Sequence, residues 1–415
     1  MIEEVLDALG APAHAELVEE RQELMRFGES RLAYQHSEER TTLRARIVRD
    51  GREVWGILGA ADSESVHAFR DRLEAIAAAL PRDEVEPFGA DGAARPARTA
   101  FEGTERAEAG GRIGVFHSAL DAIPAGATLG GSIAHVTARH AVGNTDGVRR
   151  EETRTRAAVQ LVATLDGRSS WARAIHRDAD ALAVADVAAG MEPLPDRPLS
   201  PGRYRAVLAP QAVATLLAAV GQVAFADGAP AAGGLGTLGE NVTIVDDGCD
   251  EDGLPSTFDC MGTAKQRVPL VERGVVREVV RRETGHAVPP AWRFGAGPAA
   301  SHLLLAAGDA DDAGLLAACG EGLSIQRLDY VRVAQPRRTL VTGSSRDATR
   351  WVAGGEVVAR VPQFRFTLRL DELFRAFAAV GSRRERAETP FMESVVAPGV
   401  AVESFPVDQV THAAP

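Results

Sequence analysis

The sequence predicts an α+β protein of two domains: an N-terminal mixed α/β domain with antiparallel strands, residues 1–192, and a strand-rich C-terminal domain, residues 202–415. Three observations carry that expectation. Alternating apolar and polar runs in the first half meet at Asp-Gly pairs, the pattern of antiparallel hairpins, because both residue types tolerate positive φ. One amphipathic helical stripe lies between such runs. Glu192 to Pro201 contains four prolines in ten residues, a stretch that fits neither a helix interior nor a central strand. At 415 residues, with 45% hydrophobic and 25% charged residues, the chain has the balance of an ordinary globular protein.

Taken in order, Glu16 to Arg26 is compatible with a strand, although its glutamates also suit a helix. From Thr41 to Val48, Leu43, Ala45 and Ile47 alternate with Arg44 and Arg46, a strand period. Asp50-Gly51 then turns the chain toward Val54, Ile57 and Leu58. Ser63 to Leu80 reads as a helix with Val66, Phe69, Leu73, Ile76 and Leu80 in one stripe, a cap at Asp62 or Ser63, and a stop at Pro81. Residues 81–112 have no clear period and read as a loop or insertion. Asn144 to Gly147 is a turn by composition, Arg154 to Thr164 a strand, Asp166-Gly167 a turn, and Ala172 to Ala189 a helix.

After the prolines, Tyr204 to Leu208 reads as a strand, and Ala212 to Phe225 as a helix with Pro210 near its start. Val268 to Glu272 and Val275 to Val280 form a hairpin around Arg273-Gly274. Leu323 to Val333, Arg338 to Thr342, Arg350 to Val352 and Glu356 to Leu370 read as strands. Asp371 to Val380 reads as a helix, and Ser394 to Val407 as a strand broken at Pro398.

Several chemistries are excluded. No histidine is followed by glutamate, so the self-contained H-E-x-x-H and H-E-x-x-x-H zinc helices are absent. There is no G-x-S-x-G and no phosphate-cradling G-x-x-x-x-G-K-[ST]. Gly233 to Gly236 reads as a surface loop. Cys249, Cys260 and Cys319 have no metal-ligand spacing. Asp246, Asp247, Asp250, Glu251 and Asp252 lack the spacing of a calcium loop and read as a solvated acidic loop. His176 reads as a solvated helical position. Lys265 is the only lysine, which suggests codon bias rather than chemistry. The net charge of −12 disfavours direct nucleic-acid binding. No apolar stretch is long enough for a membrane helix, and the acidic N-terminus lacks a signal-peptide layout; a cytoplasmic protein is expected. The candidate substrate-cleft residues are Thr284, Gly285 and His286. A Thr-Gly-His turn after a hairpin aims an imidazole into a cleft, or simply bonds a carbonyl.

The order of short motifs resembles the TldD/PmbA family, whose PmbA branch is also called TldE. Arg203 to Leu217 is similar to the strand and helix that open the family's C-terminal domain. Phe258-Asp259-Cys260-Met261-Gly262 stands where the family usually has Phe-Asp-x-Glu-Gly. Glu272-Arg273-Gly274, Thr284-Gly285-His286-Ala287, Gly320-Glu321-Gly322-Leu323, Thr342-Gly343 and Trp351 to Glu356 follow in family order. So do Phe27 to Ser30, Asp50-Gly51 and Asn144 to Gly147 before them. Met261 departs from the usual glutamate, and Tyr330 to Pro336 departs from the usual pattern. The resemblance implies a heterodimeric peptidase in which a TldD-like subunit carries the zinc helix and its PmbA-type partner closes a chamber around small or unfolded peptides. The missing zinc motif places this chain in the second type. It then has no catalytic residues, metal or cofactor of its own, and zinc is expected in the partner. Maturation of a modified peptide or natural product is the expected setting. The alternative is a non-catalytic regulatory or scaffold protein that binds a protein partner, in line with the family's association with DNA gyrase modulation. A stand-alone hydrolase using His286 with Cys260 or Cys319 has no support in the spacing.

Overall fold

The computed structural model describes residues 1–10, 12–82, 88, 92–182, 187–288, 297–389 and 392–410. Six long strands make the first sheet: β1 (Ala13–Gly28), β2 (Arg31–Arg49), β3 (Arg52–Leu58), β4 (Thr128–Asn144), β5 (Arg149–Leu165) and β6 (Arg168–His176). They are antiparallel in the order β3-β2-β1-β4-β5-β6. The Glu16–Arg26 ambiguity is resolved as strand, because Ala13, Ala15, Leu17, Met25 and Phe27 alternate onto one buried face. Helices α1 (Ile2–Leu9) and α2 (Ser63–Ala79) cover one end of that face. Helix α4 (Ala109–Ala122), after the short α3 (Glu102–Glu105), covers the other.

Asp62 caps α2 by accepting the Ser65 N–H. Val66, Phe69 and Leu73 are buried as expected, but Ala77 completes the stripe and Ile76 is exposed. The reading of 81–112 as loop is corrected where α3 and the start of α4 lie. Their small residues give no period. The segment is held from outside, by Thr104 Oγ1 donating to the Arg177 carbonyl at 2.7 Å and the Phe101 N–H donating to Thr155 Oγ1 at 3.0 Å. Residues 83–87 and 89–91 lie outside the described residues.

A second correction concerns Ala172 to Ala189. Its alanines favour helix, yet β6 runs to His176, paired with β5 from Leu165↔Arg168 to Ala157↔His176. Ladder hydrogen bonds and burial of Trp171, Ala172 and Ile175 override the intrinsic preference. Short 3₁₀ turns follow at Ala179–Ala181 and Ala188–Met191, and 183–186 lie outside the described residues. His176 therefore ends a strand, half-buried, with Nδ1 accepting the Asp178 N–H at 2.9 Å.

The proline-rich stretch leads to a mixed sheet. Its members are β7 (Gly202–Leu208), β8 (Ile244–Asp247), β9 (Arg267–Glu272), β10 (Val275–Val276), β13 (His302–Leu305), β14 (Glu321–Ile325), β17 (Arg350–Ala353), β18 (Glu356–Arg360), β20 (Phe377–Thr389) and β21 (Met392–Val407). Strands β11 (Ala287–Val288) and β12 (Gly297–Pro298) pair separately. A four-stranded sheet contains β15 (Arg327–Gln335), β16 (Leu340–Arg346), β19 (Phe364–Arg369) and β22 (Gln409–Val410). Helix α5 (Pro210–Ala224) packs on β20 and β21 and on β15 of the smaller sheet. It is apolar and buried on all sides, the signature of a helix between layers. Pro210 occupies its first turn, where a missing N–H costs nothing. Helix α6 (Asp312–Cys319) packs on β20 and β21.

Four sequence readings change here. Leu323 to Val333 is two strands, β14 and β15, divided at Gln326 and sent to different sheets. Glu356 to Leu370 divides likewise around Pro362. The helix expected over Asp371–Val380 is only α7 (Leu370–Arg375), and Phe377 already begins β20. Strand β21 runs through Pro398, which sits opposite Arg384 where the β20 register is irregular and no ladder donor is needed. The hairpin at Arg273-Gly274 is present, although its second strand is only Val275–Val276. Among the described residues no helix is long and apolar enough to cross a membrane.

Candidate functional site

Alternation on the first sheet buries one face under helices and leaves His14, Glu16, Arg44, Arg46, His140, Glu152 and Arg154 on the other. The segment 256–264 of the second half lies on this polar face. Thr257 donates to Glu152 Oε2 through its N–H at 3.0 Å and its hydroxyl at 2.6 Å. Phe258 stacks on His140, with ring centroids 5.1 Å apart. His140 Nε2 lies 2.8 Å from Glu16 Oε1, and Arg44 donates to Glu16 Oε2 at 2.6 Å. Burial opposes the Glu16 charge, but His140 and Arg44 outweigh it and bring the carboxyl to about 2.

Behind this segment lies a cluster drawn from five places in the chain, buried except for Glu393, which is half exposed at its rim. Asp246 on β8 has no exposed surface. Its Oδ1 takes the Nε2–H of His286 at 2.9 Å, and its Oδ2 takes the N–H groups of Ser301 at 2.7 Å and His302 at 3.2 Å. Burial pushes its pKa up, but His286, His302 and Lys265 bring it down to about 2. Lys265 Nζ donates to Ser301 Oγ at 3.1 Å, His302 Nδ1 at 3.1 Å and Glu393 Oε2 at 3.3 Å. His302 Nε2 donates to the Leu254 carbonyl at 3.1 Å. That fixes its tautomer, with Nδ1 as the acceptor. Burial, reinforced by Lys265, lowers its pKa to about 4. Arg154 lies 3.7 Å from Glu393 and so joins the cluster to the first sheet.

The predicted residues occupy this region. Thr284 Oγ1 lies 2.9 Å from His286 Nδ1. The imidazole of His286 turns inward to a carboxylate, neither into an open cleft nor onto a carbonyl, and is wholly buried. Gly285 has φ +75°, and a Cβ there would run into the Ala264 carbonyl. Gly285→Ala is therefore expected to destabilise the protein by about 2–3 kcal/mol, measured as a fall in thermal midpoint. Asp259 accepts the N–H groups of Met261, Thr263 and Ala287 at 2.8–3.0 Å. Burial still raises its pKa to about 6. Met261, at the position of the family's glutamate, is buried. In the divergent 330–336 segment, Tyr330 is exposed at φ +50° and β15 pairs irregularly with β16.

Two sequence readings are overturned here. Lys265 is the central donor of a buried network, and Asp246 and Asp247 belong to a buried strand rather than a solvated loop. Only the later acidic residues are loop-like; Glu251 pairs with Arg177. Nothing local marks Lys265 or Asp246, because their partners lie 36 to 128 positions away. Being the sole lysine among 46 basic residues was the available signal. Cys260 Sγ faces the Ala287 carbonyl at 3.3 Å, and burial raises its thiol well above the usual range. It is no activated nucleophile. A cavity of about 550 Å³ between α3–α4 and the sheet, lined by Arg21, Glu23, Gln35, Arg106 and Arg112, shares no residue with the cluster.

The arrangement can anchor loops and bring the two sheets into register. Ser301 and Lys265 are within hydrogen-bond reach, but both are buried and already partnered, which suits positioning rather than attack on a substrate. The profile of the PmbA/TldA metallopeptidase C-terminal domain matches residues 201–409. The chain belongs to the TldD/PmbA family. Its fold is similar to TldE from Thermococcus kodakarensis, with a TM-score of 0.81 and 15% identity over 97% of each chain. It is also similar to a Thermotoga maritima protein named as a candidate modulator of a DNA gyrase, with a TM-score of 0.80 and 17% identity over 98% of this chain and 100% of that one. A Bacteroides thetaiotaomicron protein named in the same way has a TM-score of 0.77 and 15% identity over 98% of this chain and 97% of its own. No curated protein sequence matches the chain. Within this TldD/PmbA fold the cluster ties β8, β13 and β21 to the segment resting on the N-terminal sheet.

Proposed function

We propose that this chain is the non-zinc subunit of a two-chain TldD/TldE-like metallopeptidase that hydrolyses peptide or amide bonds in small or unfolded peptides. The observation that carries the reading is the absence of any His-Glu step in 415 residues, in a chain whose fold follows that of TldE along nearly its whole length. The residues present do not fit a zinc ion. Among the described residues no group of three or more His, Cys, Asp or Glu side chains is placed to hold one. His140, His286 and His302 each commit a ring nitrogen to a neighbour within the chain. In this reading zinc belongs to a TldD-like partner, and the present chain shapes the chamber. Thr284, Gly285 and His286 set the position of a chamber wall through the Asp246 anchor. Maturation of a modified peptide or natural product in the cytoplasm is the proposed setting, with the division at 192/202 separating the chain's two domains.

The test is co-expression with a zinc-bearing homologue containing H-E-x-x-x-H. The two chains are expected to co-purify and to cleave unstructured peptides, with cleavage lost when this chain is omitted. A stable, zinc-loaded pair that cleaves no peptide or amide substrate would instead favour a regulatory or scaffold protein.

A further inference from the structure

The cavity of about 550 Å³ beside α4 takes no part in the buried anchor. Its volume lies in the ~300–1,000 Å³ range of small-molecule sites. Its floor comes from the first sheet, with Arg21 and Glu23 on β1 and Gln35 on β2. Its wall is the turn that joins α3 to α4. That turn reads Glu105-Arg106-Ala107-Glu108-Ala109-Gly110-Gly111-Arg112. Helix α4 begins there without a cap, because Glu108 makes no side-chain hydrogen bond to it. Its first N–H groups have no acceptor within the helix. Among the described residues, those of Ala109, Gly110 and Gly111 donate to nothing else. A Cβ at Gly110 or Gly111 would meet no atom within 4 Å, so a ligand has room beside these donors. A helix start of this kind favours a negative group.

The side chains add charge of both signs. Arg112 lines the cavity yet is only 1% exposed. One Nη donates to Glu23 Oε2 at 3.0 Å, while its buried Nε has no hydrogen-bond partner. Glu23 also accepts from Arg21 at 3.2 Å and from Ser37 at 2.8 Å. One carboxylate thus faces two guanidinium groups, and the floor keeps a net positive charge. Glu105 and Glu108 line the same cavity and are exposed. Among the described residues their side chains have no ion pair or hydrogen bond. The cavity is therefore positive at depth and negative at its mouth. A phosphate dianion would be drawn to the floor but repelled at the mouth, whereas a zwitterion satisfies both. Donors and acceptors lie within eight consecutive residues, so the ligand's two charges must lie close together. In a free α-amino acid they flank one carbon, but in an extended dipeptide they stand ~7 Å apart.

We propose that this cavity binds a free α-amino acid, with its carboxylate toward the start of α4 and Arg112 and its ammonium toward Glu105 and Glu108. Arg21, Glu23 and Gln35 make the floor polar, so a polar side chain fits it best.

The test is isothermal titration calorimetry of the full chain with L-glutamine, its N-acetyl derivative and its α-amide. L-Glutamine should bind saturably. Each derivative lacks one charge and should bind roughly tenfold more weakly or worse. Gly111→Asp lays the chain's own carboxylate over the start of α4. An acidic residue there suits the helix, so circular dichroism should show native folding while L-glutamine affinity falls roughly tenfold or more. E105Q/E108Q, at exposed positions, should weaken L-glutamine similarly and leave the N-acetyl derivative unchanged. No binding of L-glutamine, equal binding of the N-acetyl derivative, tighter binding of inorganic phosphate or of glycylglycine, or a folded Gly111→Asp variant of unchanged affinity would each overturn the proposal. The inference does not depend on the peptidase reading. Binding is measured on this chain without a zinc-bearing homologue, and neither outcome here decides that reading.

Discussion

Asp246→Ala is expected to destabilise the protein by about 3–5 kcal/mol, the range for removing one member of a buried, hydrogen-bonded charge pair. The carboxylate accepts from three donors: His286 Nε2–H, the Ser301 N–H and the His302 N–H. Alanine leaves all three without an acceptor in a place that water does not reach, and each orphaned group costs about 1–3 kcal/mol. The loss would spread because the three donors hold different segments: the turn after β10, the start of β13, and through His302 the Leu254 carbonyl. Asp246→Asn keeps the volume and one acceptor oxygen and should cost less. Thermal and urea unfolding of the two variants measure the difference. Equal, near-zero shifts for both would mean that the cluster does not anchor the fold. Lys265→Met should behave like the alanine variant, since it removes the donor shared by Ser301, His302 and Glu393.

The chain is also expected to lose stability as pH falls from about 6.5 to about 4. His14 and His302 are fully buried, and burial, their largest influence, lowers both to about 4. His135 is lowered to about 4 by burial and then by the Arg112 charge. In the native state these rings stay neutral until about pH 4, while in the unfolded chain they take up protons below about 6.5. The unfolded state therefore binds more protons across that window, and acid favours it, by on the order of 3 kcal/mol for each ring. Asp259 works the other way. Its pKa is raised to about 6, so the native state takes its proton first and gains stability as pH falls toward about 3.8. Three histidines against one aspartate leave a net loss. Below pH 4 the loss continues as Glu16 and Asp246, both held near 2, must be protonated. Urea midpoints measured against pH should slope accordingly, and His302→Gln should flatten the slope between 6.5 and 4. A midpoint constant from pH 7 to 4 would refute the buried neutral histidines.

Much of the first half was legible locally. Leu43, Ala45 and Ile47 alternate because a strand presents successive side chains to opposite faces, and all three are buried. Asp50 and Gly51 adopt φ of 51° and 70°, as their turn demands. Asp62 caps α2. The misreadings have a common cause. Ala172 to Ala189 carries helix-favouring residues but receives its ladder from β5, which no window on 172–189 contains. Leu323 to Val333 is evenly strand-like, and its division between two sheets is settled by β7 and β17 on one side and β16 on the other. The short length of α7 depends on β21 offering Val402 as a partner to Phe377.

By itself the sequence determined the α+β class, most hairpin turns, the helix after Asp62, the family resemblance and the lack of a zinc helix. Each of these is written in neighbouring residues or in the order of short motifs. Tertiary structure alone decided that the sole lysine is a buried hub, that Asp246 is its counterweight rather than part of a solvated loop, and that the polar face of the first sheet carries segment 256–264. It also decided that half of β2 remains an open edge. The first three of these outcomes rest on contacts across 36 to 128 positions of chain. Side chains that distant are brought together by the packing of the two sheets, so neither periodicity nor local composition records them.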